Sequence, residues 1–492
     1  MYASGRHHFI FFLKEKYKNC QTVQVLGELN KTQWLSQDEL RELQWKKLKI
    51  LLRHAYKNVP YYHSLFKGLG LLPRDFKDFE DLKKIPLLTK QLVRKNVNRL
   101  RARNFKGREI LRRTSGSTGM PLKFPSNSQT DSYSLANAIR GRSWWGLQIG
   151  DSEFRFWGIS TPFEKTLKSK LISILERPKD RLLSSIHLSP FDTSQDTLLR
   201  YYHILLKRQP KLIFGYGVAI YIFVKFIADM NLDLGDYHPD VVIYTTETLY
   251  SSQKDLIKNV FDCSVVSEYG SVEMGIIAYE CPKGNLHLSD ETLYAEVVES
   301  PEKGFADGYG EIVLTHLTNF GFPFIRYNQG DIVSLSSEKC SCGRGLSIIR
   351  SFSGRSNDLI QKPNGEYIHP ELFDYIMRYQ PGVSRYRVIE ESTGHLRLLL
   401  EMDKPLSKNQ KENLHKGLLD YIEPDFKIDI EVTERIPNDS SGKFRWVISQ
   451  QSFLNANKRN NPPTDQPTNR QTPKRSQIPN SKSQPPNPRR DD

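Results

Sequence analysis

Apolar residues recur at helical spacing early in the chain: Leu40, Leu43, Leu48, Leu51, Leu52 and Ala55, with Lys and Arg between them. Ser36 followed by Glu39 has the form of a capping box, and Asn58-Val59-Pro60 predicts the stop, because proline has no amide hydrogen and clashes with the preceding turn. From about residue 108 the pattern shortens. Apolar runs at 154–157, 211–214, 241–245, 264–266 and 312–315 alternate with glycine turns and helical stretches. This predicts an α/β domain. Within it 252–261 predicts a helix, opened by serine, with Leu256, Ile257, Val260 and Phe261 on one face. After Gly354, residues 397–401 and 428–433 predict strands and 408–421 a helix between them, so a smaller α+β unit follows the large one. The predicted organisation is a mainly helical N-terminal region at 1–107, an α/β core at 108–353, a small C-terminal α+β domain at 354–456 and a tail at 457–492. No internal repeat of fixed period interrupts it.

The tail differs in kind: eight prolines fall among residues 458–492 with Asn, Gln, Ser, Thr, Lys and Arg, which predicts disorder, since little apolar surface can offset the ordering entropy. The whole chain, at 492 residues with 38% hydrophobic and 11% aromatic side chains, has material for real cores in roughly two to four structural units. No segment reaches the roughly 18 to 20 uncharged apolar residues of a spanning helix. The N-terminal run Phe9 to Leu13 is too short and lacks a cleavage site for a secretory signal, so a cytoplasmic protein without a transmembrane segment is expected. Of the formal charge of +15, residues 458–492 carry eight basic and three acidic side chains, a share of +5 that leaves +10 for the rest. That excess suits anionic small molecules as well as nucleic acid. No zinc-finger, RNA-recognition or homeodomain-like pattern accompanies it, so specific nucleic-acid binding is not expected. Five cysteines are too few for a disulfide scaffold at this length.

The strongest local signal is Thr114-Ser115-Gly116-Ser117-Thr118-Gly119-Met120-Pro121. Its glycines let the backbone approach an anion closely, while hydroxyls and successive amides can cradle phosphate oxygens. It fits neither the P-loop nor the dinucleotide fingerprint. Taken alone it could equally be a polar surface loop. In order behind it come Tyr269-Gly270-Ser271-Val272-Glu273 and Phe324-Ile325-Arg326-Tyr327-Asn328-Gln329-Gly330-Asp331, each after a predicted strand, then Gly354-Arg355-Ser356-Asn357-Asp358 and Ser441-Gly442-Lys443.

This ordered set resembles the adenylate-forming ligase superfamily from about Leu82 to Ser449. Within it the match is to the phenylacetate-coenzyme A ligase family, in the branch found with capsular polysaccharide biosynthesis genes. Ile85-Pro86-Leu87-Leu88-Thr89-Lys90, Cys340-Ser341-Cys342-Gly343-Arg344 and Ser441-Gly442-Lys443-Phe444-Arg445 carry that finer likeness. The resemblance implies a large adenylate-forming α/β domain and a small mobile C-terminal domain. It implies that Ser115, Ser117 and Thr118, with the Gly116 and Gly119 backbone, hold the β- and γ-phosphates of ATP. Tyr269 would lie against adenine, Glu273 would help bind Mg²⁺, Asp331 would accept the ribose hydroxyls and Arg355 would sit near the ribose. Asp358 would be the hinge, and Lys443 would reach the α-phosphate and the substrate carboxylate. Elementary chemistry agrees: attack of a carboxylate on a phosphate brings two anions together, and a lysine with Mg²⁺ offsets the repulsion. Taken singly, Asp331 reads as a turn aspartate and Lys443 as a solvated loop lysine.

Several positions depart from the superfamily pattern. Leu122 stands where a lysine is common, with Lys123 one later. Val272 replaces a hydroxyl residue, and Thr245-Thr246-Glu247 occupies the place of a Gly-rich adenine-contacting segment. No role is assigned to Lys362. Cys281 and His287, with Cys340 and Cys342 about 50 residues on, would complete a Cys₃His structural zinc site; the plainer alternative is a tight turn at Cys340 and Cys342 and a strand histidine. Cys20 and Cys263 read as buried fillers.

The expected function is ATP-dependent activation of a carboxylic acid as an acyl- or aryl-adenylate, then transfer to a thiol, with coenzyme A the acceptor the resemblance favours. Ligation to a glycan precursor or carrier protein is the alternative acceptor chemistry. A non-catalytic nucleotide-binding or docking protein on a ligase fold is the alternative of another class. The acid and the oligomeric state are not legible, and Trp144, Trp145 and Tyr216 fit acid pocket and core equally.

Overall fold

The structure, a computed structural model, describes residues 19–105, 109–114, 122–157, 185–190, 194–299, 308–355, 360–363, 380–402, 405–422, 426–438 and 444–449, with shorter pieces at 11–17 and 367–377. The described chain opens on helices α1 (Thr22–Thr32), α2 (Gln37–Asn58), α3 (Pro60–Gly68), α4 (Lys90–Lys95) and α5 (Val97–Leu100). The expected capping box is present on α2: Ser36 Oγ accepts from the Glu39 amide, and Glu39 accepts from the Ser36 amide at 2.8 Å. Pro60 ends α2 as expected and at once begins α3 at its first position, where a missing amide hydrogen costs nothing. Leu48, Leu51, Leu52 and Ala55 of α2 and Tyr62 and Phe66 of α3 share a core with Ile312, Leu314, Phe322 and Phe324. The helical N-terminal region is therefore a wall of the large domain.

Next come the hairpin of β1 (Glu109–Arg113) and β2 (Lys123–Asn127), then α6 (Ser128–Ser143), β3 (Glu153–Phe156), β4 (Ser185–Leu188), α7 (Gln195–Arg208), β5 (Leu212–Tyr216), α8 (Gly217–Asp229), β6 (Val241–Thr245), α9 (Ser251–Phe261) and β7 (Ser264–Ser271). Six further strands follow: β8 (Gly275–Glu280), β9 (Leu286–Leu288), β10 (Leu293–Val298), β11 (Gly310–His316), β12 (Tyr327–Ser336) and β13 (Ile348–Arg355). They form one sheet in the order β10-β11-β12-β13-β9-β8-β7-β6-β5-β3-β4. From β7 to β4 its pairs are parallel, and from β8 onward they are antiparallel. The sequence explains the division. Strand β6 reads Val-Val-Ile-Tyr-Thr and is buried at every position, as a parallel strand covered on both faces must be. One face is covered by the core of α7, α8 and α9, the other by residues around Leu147, Phe214, Val266 and Tyr279.

Two expectations are corrected here. The strand predicted to stop at Val266 runs to Ser271, and Asp331 lies inside β12 rather than in a turn after a strand. In both cases hydrogen bonding to neighbours on either edge extends the strand past its apolar stretch, since β7 pairs with β6 and β8, and β12 with β11 and β13.

The small domain has β14 (Ile360–Gln361), β15 (Tyr367–Ile368), β16 (Arg385–Ser392), β17 (His395–Glu401), α10 (Lys408–Tyr421), β18 (Lys427–Thr433) and β19 (Val447–Ile448). Four of its strands form a sheet in the order β18-β17-β16-β19, and Leu414 and Leu418 of α10 pack on Val388, Leu398 and Leu400. Val218 and Tyr250 of the large domain join this core, so the two domains meet on apolar surface. Among the described residues no helix is long and apolar enough to cross a membrane.

Candidate functional site

Three of the sequence motifs, at 85–90, 269–273 and 324–331, come together beside the carboxyl end of the parallel strand β7, where open α/β sheets bind ligands. Tyr269 leaves β7 toward β12, and its hydroxyl donates to Asp331 Oδ2 at 2.5 Å. Its ring packs on Phe352 at 4.9 Å between centroids. Asp331 is 5% exposed, and the register places the Arg355 backbone opposite it. Glu273, 6% exposed, accepts from the Tyr327 hydroxyl at 3.0 Å, and Lys90 Nζ lies 3.9 Å away. Two buried carboxylates thus stand at the site, Asp331 on β12 and Glu273 in the turn between β7 and β8, each held by a tyrosine hydroxyl.

The motif at residues 85–90 serves this arrangement. Leu88 bridges Tyr327: its amide donates to Arg326 O at 2.8 Å, and its carbonyl accepts from Asn328 N at 3.0 Å. That added strand delivers Lys90 to Glu273. Arg326, with φ of +52°, is buried and held by Glu296 at 3.0 Å and by the carbonyls of Lys83 and Ile85. A non-glycine residue at positive φ is costly, and here four polar contacts fix it. Reading the sequence missed Lys90, Tyr327 and Arg326, because their partners lie far away in the chain.

The atypical segment at 245–247 has a clear structural role. Thr246 takes φ of +71°, a conformation usual for glycine and rare for a β-branched residue. The turn expected to be Gly-rich is therefore kept without the glycine. It aims Glu247 between the domains, where Oε2 accepts from Val218 N at the start of α8 at 3.0 Å and Oε1 from Phe444 N at 3.3 Å. Phe444 follows Lys443, and Arg387 lies 4.7 Å over its ring. The sequence marks this segment as atypical but gives Glu247 no role of its own.

Several expected residues lie outside the described ones: Ser115, Gly116, Ser117, Thr118 and Gly119 of the phosphate loop, Asp358 and Lys443, and the tail. The side chain of Arg355 is likewise outside them. The neck of the phosphate loop is described. Thr114 N donates to Leu122 O at 3.0 Å, and Leu122 N donates to Thr114 Oγ1 at 2.9 Å. Leu122 is wholly buried in the main core and Lys123 is exposed on β2, so Leu122 serves packing.

Cys281, His287, Cys340 and Cys342 come together, their ligand atoms all within 4.8 Å of one another. Cys281 Sγ lies 3.7 Å from Cys340 Sγ, and Cys342 Sγ lies 3.3 Å from His287 Nε2. Zinc at tetrahedral angles calls for sulfur separations of about 3.8 Å and sulfur to nitrogen separations of about 3.6 Å, so the donor set fits that ion. His287 Nδ1 is taken by the Leu346 carbonyl at 3.0 Å, which turns Nε2 toward the thiols. Burial pushes the Cys281 thiol up to about 11 and His287 down to about 4, so imidazole is neutral as a ligand must be. Burial would also raise Cys342, but hydrogen bonds from Arg344 outweigh it and hold that thiol below its ordinary value. Trp144 and Trp145 belong to this neighbourhood, packing on His287 and donating to Glu280 O respectively.

Known proteins resemble this chain over most of its length. The model of the CapK C-terminal domain matches residues 360–450. Protein CapK of Staphylococcus aureus is 24% identical over 89% of this chain and 94% of its own length. A phenylacetate-coenzyme A ligase of Escherichia coli strain K12 is 27% identical over 75% of this chain and 83% of its own. Over most of its length the chain is thus similar to protein CapK and to phenylacetate-coenzyme A ligase. The fold agrees: 2-hydroxyisobutyryl-CoA ligase in its postadenylation state, with 2-HIB-AMP, superposes with a TM-score of 0.68 at 17% identity, over 87% of this chain and 93% of its own. The same ligase in the thioesterification state gives 0.54 over 86% and 92% at 18% identity.

Proposed function

We propose that this chain activates a carboxylic acid with ATP and passes the acyl group to a thiol, coenzyme A being the acceptor. The observation that carries the reading is the pair of buried carboxylates, Asp331 held by Tyr269 and Glu273 held by Tyr327, at the ligand end of an adenylate-forming ligase sheet. Tyr269 would lie along adenine, and Asp331 would accept both ribose hydroxyls. Ser115, Ser117 and Thr118, with Gly116 and Gly119, would cradle the β- and γ-phosphates, and Arg355 would stand by the ribose. The buried oxygen donors of Glu273 suit Mg²⁺, which when bound would neutralise charge on the phosphates.

In the first half-reaction a carboxylate oxygen bonds to the α-phosphorus, the bond to the β-phosphate oxygen breaks, and pyrophosphate leaves. Lys443, beside the Phe444 that Glu247 holds, would balance the two anions as they meet. In the second, the thiol sulfur bonds to the acyl carbon, AMP leaves, and the thiol proton passes to solvent. Asp358 would be the hinge about which the small domain turns between them. The Cys281, His287, Cys340 and Cys342 cluster would hold a structural zinc, which would tie β8, β9 and the segment before β13 together.

Acid-dependent exchange of labelled pyrophosphate into ATP tests the reading, across aryl, fatty, hydroxy and amino acids. Exchange with one acid class, lost in Lys443→Ala, is the expected result. Silence across the panel in a protein that binds ATP would favour a nucleotide-binding protein without ligase chemistry.

A further inference from the structure

The Cα register across the parallel strands aligns Tyr216 with Thr245, Thr245 with Glu268, and Glu268 with Tyr279. Side chains alternate along each strand, so these four residues form one row across the sheet. The row below it contains Phe214, Ile243 and Val266, which belong to the core on the α6 side. Helix α6 comes close over this face: a Cβ on Gly141 would lie 2.3 Å from the Tyr279 ring. Glu268 stands on this face near the carboxyl end of β7, one residue before Tyr269.

The charges there do not balance pairwise. Glu153 takes both neighbouring guanidiniums, Arg155 at 2.8 Å and Arg142 at 3.6 Å, and both of these also lie 4.7 Å over the Phe214 ring. Glu268 has neither in ion-pair reach. It is 7% exposed, and its Oε2 is buried with no hydrogen-bond partner; Arg142 Nε is buried and unpartnered as well. A carboxylate oxygen left so is costly, by several kcal/mol in general, unless something arrives to hydrogen-bond it. Burial raises the Glu268 carboxyl above its ordinary value, more than the nearby arginines lower it. On the same sheet face Trp157 stacks on Phe214 and touches Tyr216, so aromatic surface lies beside the carboxylate.

We propose that Glu268 is the specificity determinant of the acid pocket, and that the acid this ligase activates carries an N–H or O–H donor besides its carboxylate, as hydroxy and amino acids do. This rests on the ligase reading above. An unsubstituted aryl or fatty acid would leave Glu268 Oε2 as it stands, buried and unpaired. A donor on the substrate would satisfy it, and sites built to bond a substrate hydroxyl or amine reject analogues lacking one by large factors.

The test is pyrophosphate exchange with matched acids of one carbon skeleton, amino, hydroxy and unsubstituted, in the full-length wild-type protein, Glu268→Gln and Glu268→Leu. The wild type should prefer a donor-bearing acid by at least roughly ten-fold, and Glu268→Leu should bring the ratio near unity. Glu268→Gln, which keeps an acceptor oxygen but loses the charge, separates the sources: exchange falls steeply for an amino acid and modestly for a hydroxy acid. Melting temperatures of both variants report whether they fold, and the Gln variant serves if Leu does not. Wild-type preference for unsubstituted acids, or an unchanged ratio in the variants, overturns the proposal while leaving the ligase intact. No exchange with any acid overturns the ligase reading, and this proposal with it.

Discussion

Glu247→Gln should separate the two half-reactions. Its carboxylate spans the domains through a 3.3 Å bond from Phe444 N, while a 3.0 Å bond from Val218 N ties it to the start of α8. The amide of Gln offers one acceptor oxygen in place of two and turns an N–H₂ toward the other backbone donor. Bonds to charged acceptors contribute about 1.5 to 3 kcal/mol. The Phe444 bond is the longer, so the lower bound applies, and about 1.5 kcal/mol corresponds to roughly ten-fold in an equilibrium. Since the bond holds Phe444 next to Lys443, the residue proposed to act in the first half-reaction, the loss should fall on adenylation. The assay is pyrophosphate exchange beside thioester formation from a synthetic acyl-adenylate. Exchange should drop roughly ten-fold while the second rate stays within about two-fold. Equal loss in both, or loss in neither, would refute the claim that Glu247 holds the Lys443 segment for the first step.

Other parts of the site give sharper single tests. Tyr269→Phe removes the bond to Asp331, and the KM for ATP should rise by roughly 5- to 30-fold, from about 1 to 2 kcal/mol of lost positioning; an unchanged KM would mean Asp331 is held without it. Metal analysis of the purified protein should find one zinc per chain, absent in Cys281→Ser, with a lower melting temperature after chelation. A full metal complement in that variant would assign the zinc elsewhere. Glu291→Gln leaves the buried Arg140 guanidinium, 2.6 Å away, without its counter-charge. Urea unfolding should show a loss of about 3 to 5 kcal/mol, and a loss under about 1 would mean that Asn137 suffices for Arg140. Removing residues 457–492 should leave exchange unchanged, whereas a docking role for that basic segment would show as lost association with an anionic surface.

How much of this was legible depended on whether the cause was local. The start of α2 was readable because a capping box and a 3.6-residue period both lie within one segment. The placement of Tyr269 and Asp331 followed from ordered motifs, but their strands did not, because pairing on both edges carried β7 and β12 beyond their apolar runs. Glu247 and Lys90 lie in segments the sequence marks, but their roles were not readable, since each acts on a partner brought near by the fold: Phe444 for one and Glu273 for the other. Thr246 shows the reverse case, where the sequence departed from the usual glycine and the backbone kept the positive φ nonetheless.

Glu268 lies between these cases, and it shows what the sequence could have yielded. Ending the strand at Val266 hid it; continuing the strand by two residues puts Val266 and Glu268 in phase on one face, the face toward α6. Val266 is wholly buried, so period-two alternation alone predicts that a carboxylate is buried behind it. The nearby cations do not resolve the cost, because Glu153 already engages Arg142 and Arg155. A sheet with no use for that carboxylate would be more stable with valine or isoleucine there, since both fit a buried strand and bring no charge to desolvate. Local rules fail most often where a site needs them to fail, and a glutamate in phase with a buried strand, one residue before Tyr269, is such a failure.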